Sequence, residues 1–140
     1  MQAGKDPQGS QQLTLHCISE VTGCINGMLE ALKPLGFSER DLFGIRLAVE
    51  EALVNAIRHG HRNDTSKTVS VRYETSAQQF LIEVQDEGPG FDPDSVADPL
   101  APENLERPGG RGVFLMRHYM TWVSFNERGN CVTMCRHRAT

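Results

Sequence analysis

The 140-residue chain carries 14 Lys and Arg against 18 Asp and Glu, a formal charge of −4 with neutral histidines. This length fits one domain with a real core and leaves no room for a second catalytic domain. The acidic balance argues against the basic face of a nucleic-acid binder and favours small-molecule or protein partners. No apolar run approaches the roughly twenty residues that span a bilayer, and the N-terminus lacks a hydrophobic signal core, so no membrane association is expected and the protein is expected in the cytoplasm. The four cysteines, Cys17, Cys24, Cys131 and Cys135, form no Cys-x-x-Cys pair and have no histidine at zinc-ligand spacing. They read as reduced, mostly buried thiols.

Residues 1–12 are polar and aperiodic and are expected to be a disordered tail, ahead of a single domain over 13–138. Leu13 to Ile18 alternates as a short strand. Val21, Ile25, Met28, Leu29 and Leu32 then repeat at helical spacing until Lys33-Pro34 stops the run. Ser38 reads as the N-cap of a second helix, with Asp41 three residues on. Along that helix Leu42, Ile45, Val49, Ala52, Leu53 and Ala56 make one apolar stripe facing a core, and Gly60 is expected to end it. On the flank of the stripe Glu51, Asn55 and His59 follow at i, i+4 and i+8, lining one edge. A carboxamide oxygen suits a hard cation such as Mg²⁺, and a carboxylate one turn away suits proton transfer beside it. Taken alone, the segment reads rather as a solvated helix face, and His59 also suits the helix dipole at the last turn.

Thr68 to Tyr73 and Phe80 to Asp86 are two period-2 segments joined through Thr75 to Gln78, which predicts an antiparallel hairpin. Phe80, Ile82 and Val84 share a face with Asp86. An acid at the end of a buried face is costly unless satisfied, so Asp86 either caps a turn or accepts from a ligand. Gly88 and Gly90 follow it and leave room for a flat ring against the backbone. From Asp92 to Pro108 the chain has four prolines and almost no periodic apolar residues, the composition of a mobile lid. It runs into Gly109-Gly110-Arg111-Gly112 and the helical run from Val113 to Met120. Glycines opening a helix make a credible phosphate cradle, with Arg107 and Arg111 within reach of further phosphate oxygens; a flexible linker before a core helix is the alternative. Trp122 to Phe125 and Cys131 to Cys135 predict a closing hairpin. The order β-α-α-β-β-lid-α-β-β implies an α+β fold, a mainly antiparallel sheet with helices on one face.

Three weak signals in fixed order become specific together. Glu51-Ala-Leu-Val-Asn55-Ala-Ile-Arg-His59-Gly60, Asp86-Glu-Gly88-Pro-Gly90 and Gly110-Arg111-Gly112 resemble the N, G1 and G2 boxes of the GHKL superfamily of ATP-binding domains. The Glu-Ala-x-x-Asn-Ala-x-x-His-Gly form and Gly-Arg-Gly-Val-Phe-Leu-Met most resemble the anti-sigma factor serine/threonine kinases. The resemblance covers roughly Leu13 to Arg136 and implies a Bergerat-type two-layer α/β sandwich with an ATP lid over about 92–112. It implies that Glu51 is the catalytic acid/base, that Asn55 holds Mg²⁺, and that Asp86 accepts the adenine amino hydrogen with Gly88 and Gly90 giving access. It further implies that Gly110, Arg111 and Gly112 contact the phosphates of ATP, with Arg107 at the γ-phosphate. Where relatives carry a Gly-Thr pair near the adenine, this chain offers Cys131 or Thr133. The implied partners are an anti-anti-sigma protein of the STAS type, phosphorylated on serine or threonine, and a sigma factor held by a homodimer. A nucleotide-gated sequestering module and a plain ATPase are the alternative readings.

Overall fold

A computed structural model of the chain describes residues 9–60, 66–88 and 110–139, with the backbone alone at 59, 60, 110 and 111. Strands Gly9–Leu15 (β1), Val69–Thr75 (β2), Gln79–Gln85 (β3), Trp122–Phe125 (β4) and Cys131–His137 (β5) form one sheet in the order β1-β2-β3-β5-β4. Every pairing is antiparallel. Helices Val21–Leu32 (α1), Glu39–Asn55 (α2) and Gly110–Tyr119 (α3) pack against one face, giving the expected α+β two-layer sandwich. Among the described residues no helix is long and apolar enough to cross a membrane.

The period-2 pattern decides which face the helices cover. Val71, Val84 and Val132 lie side by side across β2, β3 and β5, as do Tyr73, Ile82 and Met134, and all six are buried. The helices answer with Val21, Ile25, Met28 and Leu32 from α1 and Ile45, Ala48, Val49, Ala52 and Leu53 from α2. Removing each of the larger aliphatic side chains from water contributes about 1.5–3 kcal/mol before chain entropy is subtracted.

Two boundaries differ from the sequence expectation. β1 begins at Gly9, so residues 9–12, placed in the tail by composition, pair with Arg72 to Thr75 of β2. Strand pairing uses backbone groups, and an edge strand tolerates the exposed Ser10 and Gln12 that hid it. The strand also stops at Leu15, because Cys17 turns into a 3-10 turn over Ile18–Glu20, where the Glu20 carboxylate accepts from the His16 and Cys17 N–H groups. After α1, Pro34 sits in a further 3-10 turn that ends on Gly36 at φ 91°, a left-handed position suited to glycine.

Candidate functional site

The Ser38 hydroxyl accepts from the Asp41 N–H at 3.0 Å, and the Asp41 carboxylate accepts from the Ser38 N–H at 3.2 Å. This reciprocal cap starts α2 where the sequence places it. Seventeen residues on, the α-form ends at Asn55 and the chain continues as a π turn over Ala56–Gly60. Glu51 and Asn55 therefore stay one α-helical turn apart, both half-buried, their side chains making no hydrogen bond to a described residue. The looser winding after Asn55 means that α geometry does not carry their register on to His59. The His59 side chain lies outside the described residues.

Asn55 meets the start of α3. A Cβ placed on Gly112 would lie 2.5 Å from Asn55 Nδ2 and 3.5 Å from its Cγ, closer than any side chain tolerates. Only glycine lets the carboxamide sit there, so the Gly-rich segment and the Glu51–Asn55 edge are one locus. The residues expected to close the lid, Gly110, Arg111 and Gly112, form the first turn of α3. The rest of the lid with Arg107, together with Gly90 and the Arg111 side chain, lies outside the described residues.

Asp86 follows Val84 by two and so belongs to the helix-covered side of the sheet. The π turn packs against β2, and Ser70 near the start of β2 pairs with Gln85. The end of α2 and Asp86 thus occupy the same end of the sandwich. Asp86 Oδ1 accepts from the Gly88 N–H at 2.7 Å, an Asx turn that aims the carboxylate. Its backbone is anchored from β5: the Asp86 N–H donates to the Asn130 carbonyl at 2.9 Å, and Asn130 Nδ2 donates to the Asp86 carbonyl at 3.4 Å.

Sequence reasoning passed over that anchor. Asn126 Oδ1 accepts from the backbone N–H groups of Gly129, Asn130 and Cys131, and Asn126 Nδ2 donates to Asn130 Oδ1 at 2.7 Å. Arg128 Nη2 donates to the Gly88 carbonyl at 3.4 Å. The signal was present as two Asn flanking Arg-Gly, but it read only as a turn. Cys131 and Thr133, considered for a place beside the adenine, alternate onto the opposite face from Asp86; Asn130 and Val132 take the facing positions. Burial, with Glu83 nearby, pushes the Cys131 thiol up to about 11.

A second unforeseen element braces the helical layer. Arg136 lies on the helix-covered face opposite Phe80 and donates to Asp41 Oδ1 from Nη2 at 2.9 Å and from Nε at 3.2 Å, with a further bond from Nη1 to the Tyr119 carbonyl. Asp41 Oδ2 also accepts from the Ala139 N–H at 3.1 Å. Burial by itself would raise the Asp41 carboxyl, but the bonds from Ala139, Arg136 and Ser38 outweigh it and hold the group below its ordinary range. Gly44 makes room: a Cβ there would lie 2.9 Å from Arg136 Nη1. The start of α2, the end of α3 and the last strand are thereby locked together.

Among the described residues no cluster of three His, Cys, Asp or Glu could hold a metal. A lone half-buried carboxamide is still a fitting protein ligand for Mg²⁺, which keeps waters and phosphate oxygens and takes only one or two groups from the protein. A depression of about 360 Å³ lined by Gly9, Ser10, Glu74, Thr75, Ser76, Gln79 and Leu81 lies at the opposite end of β2 and β3 from Asp86 and shares no residue with the three motifs.

The family model described as the histidine kinase-like ATPase domain matches residues 20–136. The chain is 29% identical over 110 residues to the serine-protein kinase RsbW of Bacillus subtilis, covering 74% of this chain and 69% of that protein. It is 32% identical over 125 residues to the RsbW of Bacillus licheniformis, covering 84% and 78%. It is also 28% identical over 107 residues to the serine/threonine-protein kinase BtrW of Bordetella bronchiseptica, covering 74% and 75%.

Proposed function

Because the chain belongs to the histidine kinase-like ATPase domain family, we propose that it binds ATP with Mg²⁺ and phosphorylates a serine or threonine of a partner protein. The observation that carries this reading is Asn55 seated against Gly112 with Glu51 one turn away, a carboxamide and a carboxylate left without partners among the described residues at the start of a Gly-rich helix. The kinase names of the RsbW and BtrW relatives support it.

In this reading Glu51 takes the proton from the acceptor hydroxyl as its oxygen bonds to the γ-phosphorus of ATP and the bond to the β-phosphate oxygen breaks, releasing ADP; the base is worth about 10²–10⁴ in rate. Asn55 holds the metal through its amide oxygen. Mg²⁺ held there would supply positive charge to offset that of the phosphates. Asp86 accepts the adenine amino hydrogen, its carboxylate aimed by Gly88, while Gly88 and Gly90 leave space for the ring. The backbone N–H groups of Gly110, Arg111 and Gly112 lie at the positive end of α3 and attract phosphate oxygens, with Arg107 completing the anion site. The partner is an anti-anti-sigma protein of the STAS type, and the regulator holds a sigma factor as a cytoplasmic homodimer.

Incubation with γ-labelled ATP, Mg²⁺ and a STAS-domain partner tests the reading. Label is expected on a serine or threonine of the partner with the wild type and is expected to fall at least about 100-fold with Glu51→Ala. An unlabelled partner alongside intact ATP binding rejects the kinase. If Glu51→Ala retains full regulatory effect, the protein is a sequestering module instead.

A further inference from the structure

The outer surface of the helical layer carries a feature that the nucleotide site does not use. Phe43 on α2 is 56% exposed and Phe114 on α3 is 39% exposed. A continuous aromatic track joins them: Phe43 meets Tyr119 edge-on at 6.0 Å, Tyr119 meets His118 edge-on at 4.7 Å, and His118 stacks on Phe114 at 6.1 Å. Two exposed phenylalanines linked across two helices mark an interaction surface more than isolated apolar side chains do.

Positive charge predominates around the track. Arg40 and Arg46 flank Phe43 at i−3 and i+3 on α2, and Arg117 stands at i+3 from Phe114 on α3. Residues so spaced are neighbours on a helix surface. All three are exposed, and among the described residues none of their guanidinium groups has an ion pair or a hydrogen bond. Elsewhere among the described residues Lys33 pairs with Glu30, Arg72 with Glu83 and Arg136 with Asp41, while the exposed Arg58 stands singly. Unpaired guanidinium groups thus gather beside the exposed rings in a chain whose net charge is −4.

We propose that the Phe43–Phe114 surface docks an acidic amphipathic segment of a partner protein, its apolar side chains on the two phenylalanines and its carboxylates on Arg40, Arg46 and Arg117. Arginine forks match carboxylates, and apolar anchors ringed by arginine are the composition of interface hot spots. A nucleic-acid strand fits less well, since Glu39 and Glu50 on the same stripe of α2 as Phe43, at i−4 and i+7, break any continuous run of phosphate contacts, whereas a peptide can place its few carboxylates on the arginines alone. The surface is separate from Glu51, Asn55 and Asp86, so its occupation is tested without nucleotide.

The probe is a fluorescein-labelled peptide of about 18 residues with Leu at helical i, i+3, i+4 and i+7 spacing and Glu between, long enough to hold a helix when bound. A second peptide with Gln for every Glu is the control. Fluorescence polarisation with the full chain is expected to show saturable, salt-sensitive binding of the acidic peptide and at least about tenfold weaker binding of the control. Phe43→Ser and Arg117→Glu are each expected to weaken binding about tenfold or more while ATP titrations stay at the wild-type value. Arg46→Glu serves as a third, surface-only variant should Phe43→Ser melt early. Any one of four results overturns the proposal: no binding by the wild type, equal binding of the Gln peptide, displacement of the peptide by single-stranded oligonucleotide at equal charge concentration, or light scattering in which the same variants convert a dimer to a monomer. The last would assign the surface to a second copy of the chain.

Discussion

Replacing Gly112 with alanine tests the junction on which the proposed site depends. The new Cβ would lie 2.5 Å from Asn55 Nδ2, about 0.9 Å short of the 3.4 Å at which ordinary contact begins. Gly112 is buried in the first turn of α3 and has no positive φ, so the backbone accepts alanine. Helix propensity alone would favour the change by up to about 1 kcal/mol. The carboxamide must therefore yield, by rotation or retreat on the order of 1 Å, and a misplacement of that size costs up to about 100-fold in a positioned site. Calorimetric titration of ATP with Mg²⁺ is expected to show affinity 10- to 100-fold below wild type, roughly 1.4–2.8 kcal/mol, with the melting temperature lowered by no more than a few degrees. The loss should be specific to Asn55. In an Asn55→Ala background, Gly112→Ala is expected to cost little further, giving a coupling of at least about 1 kcal/mol. Wild-type ATP affinity in Gly112→Ala, or a full additional loss without the Asn55 amide, would refute the reasoning.

Three further outcomes follow from other parts of the structure. Gly23→Ala and Gly27→Ala lie mid-helix on the exposed side of α1, where a Cβ meets nothing within 4 Å; each should stabilise by about 0.5–1 kcal/mol, read as a rise of a few degrees in melting temperature. Asp41→Ala leaves the half-buried Arg136 without its carboxylate and should cost about 1.5–3 kcal/mol by chemical denaturation. Because the folded state lowers the Asp41 carboxyl, its contribution is complete above the ordinary value of 3.8 and is lost as pH falls through the lower folded value. Acid denaturation below about pH 4 should accordingly be shallower in Asp41→Ala, and an unchanged acid limb would contradict that assignment. Alkylation at pH 8 should modify the exposed Cys17 well before Cys24 and Cys131, whose thiols burial pushes up to about 11; mass mapping that finds all three equally modified would show the burial to be wrong.

Sequence pattern alone determined most of the elements and the two halves of the candidate site that are local in the chain. The apolar stripe of α2 is a matter of 3.6-residue spacing, the sheet face of two-residue alternation, and the Ser38 cap of three residues' chemistry, so each can be read without knowing what packs where. Glu51 and Asn55 fall one turn apart for the same reason. Nothing local distinguishes a solvated helix edge from a site, and only tertiary structure brings Gly112, 57 positions later in the numbering, against the Asn55 amide. The first four residues of β1 were illegible because an edge strand is held by backbone bonds that polar side chains do not advertise. Asp41 read as a cap partner and Arg136 lay just past the predicted last strand, and only the fold shows the ion pair between them bracing both helices that frame the candidate site. Long-range pairing of this kind depends on closing about 95 residues of intervening chain, and no short window of sequence carries the information that it closes.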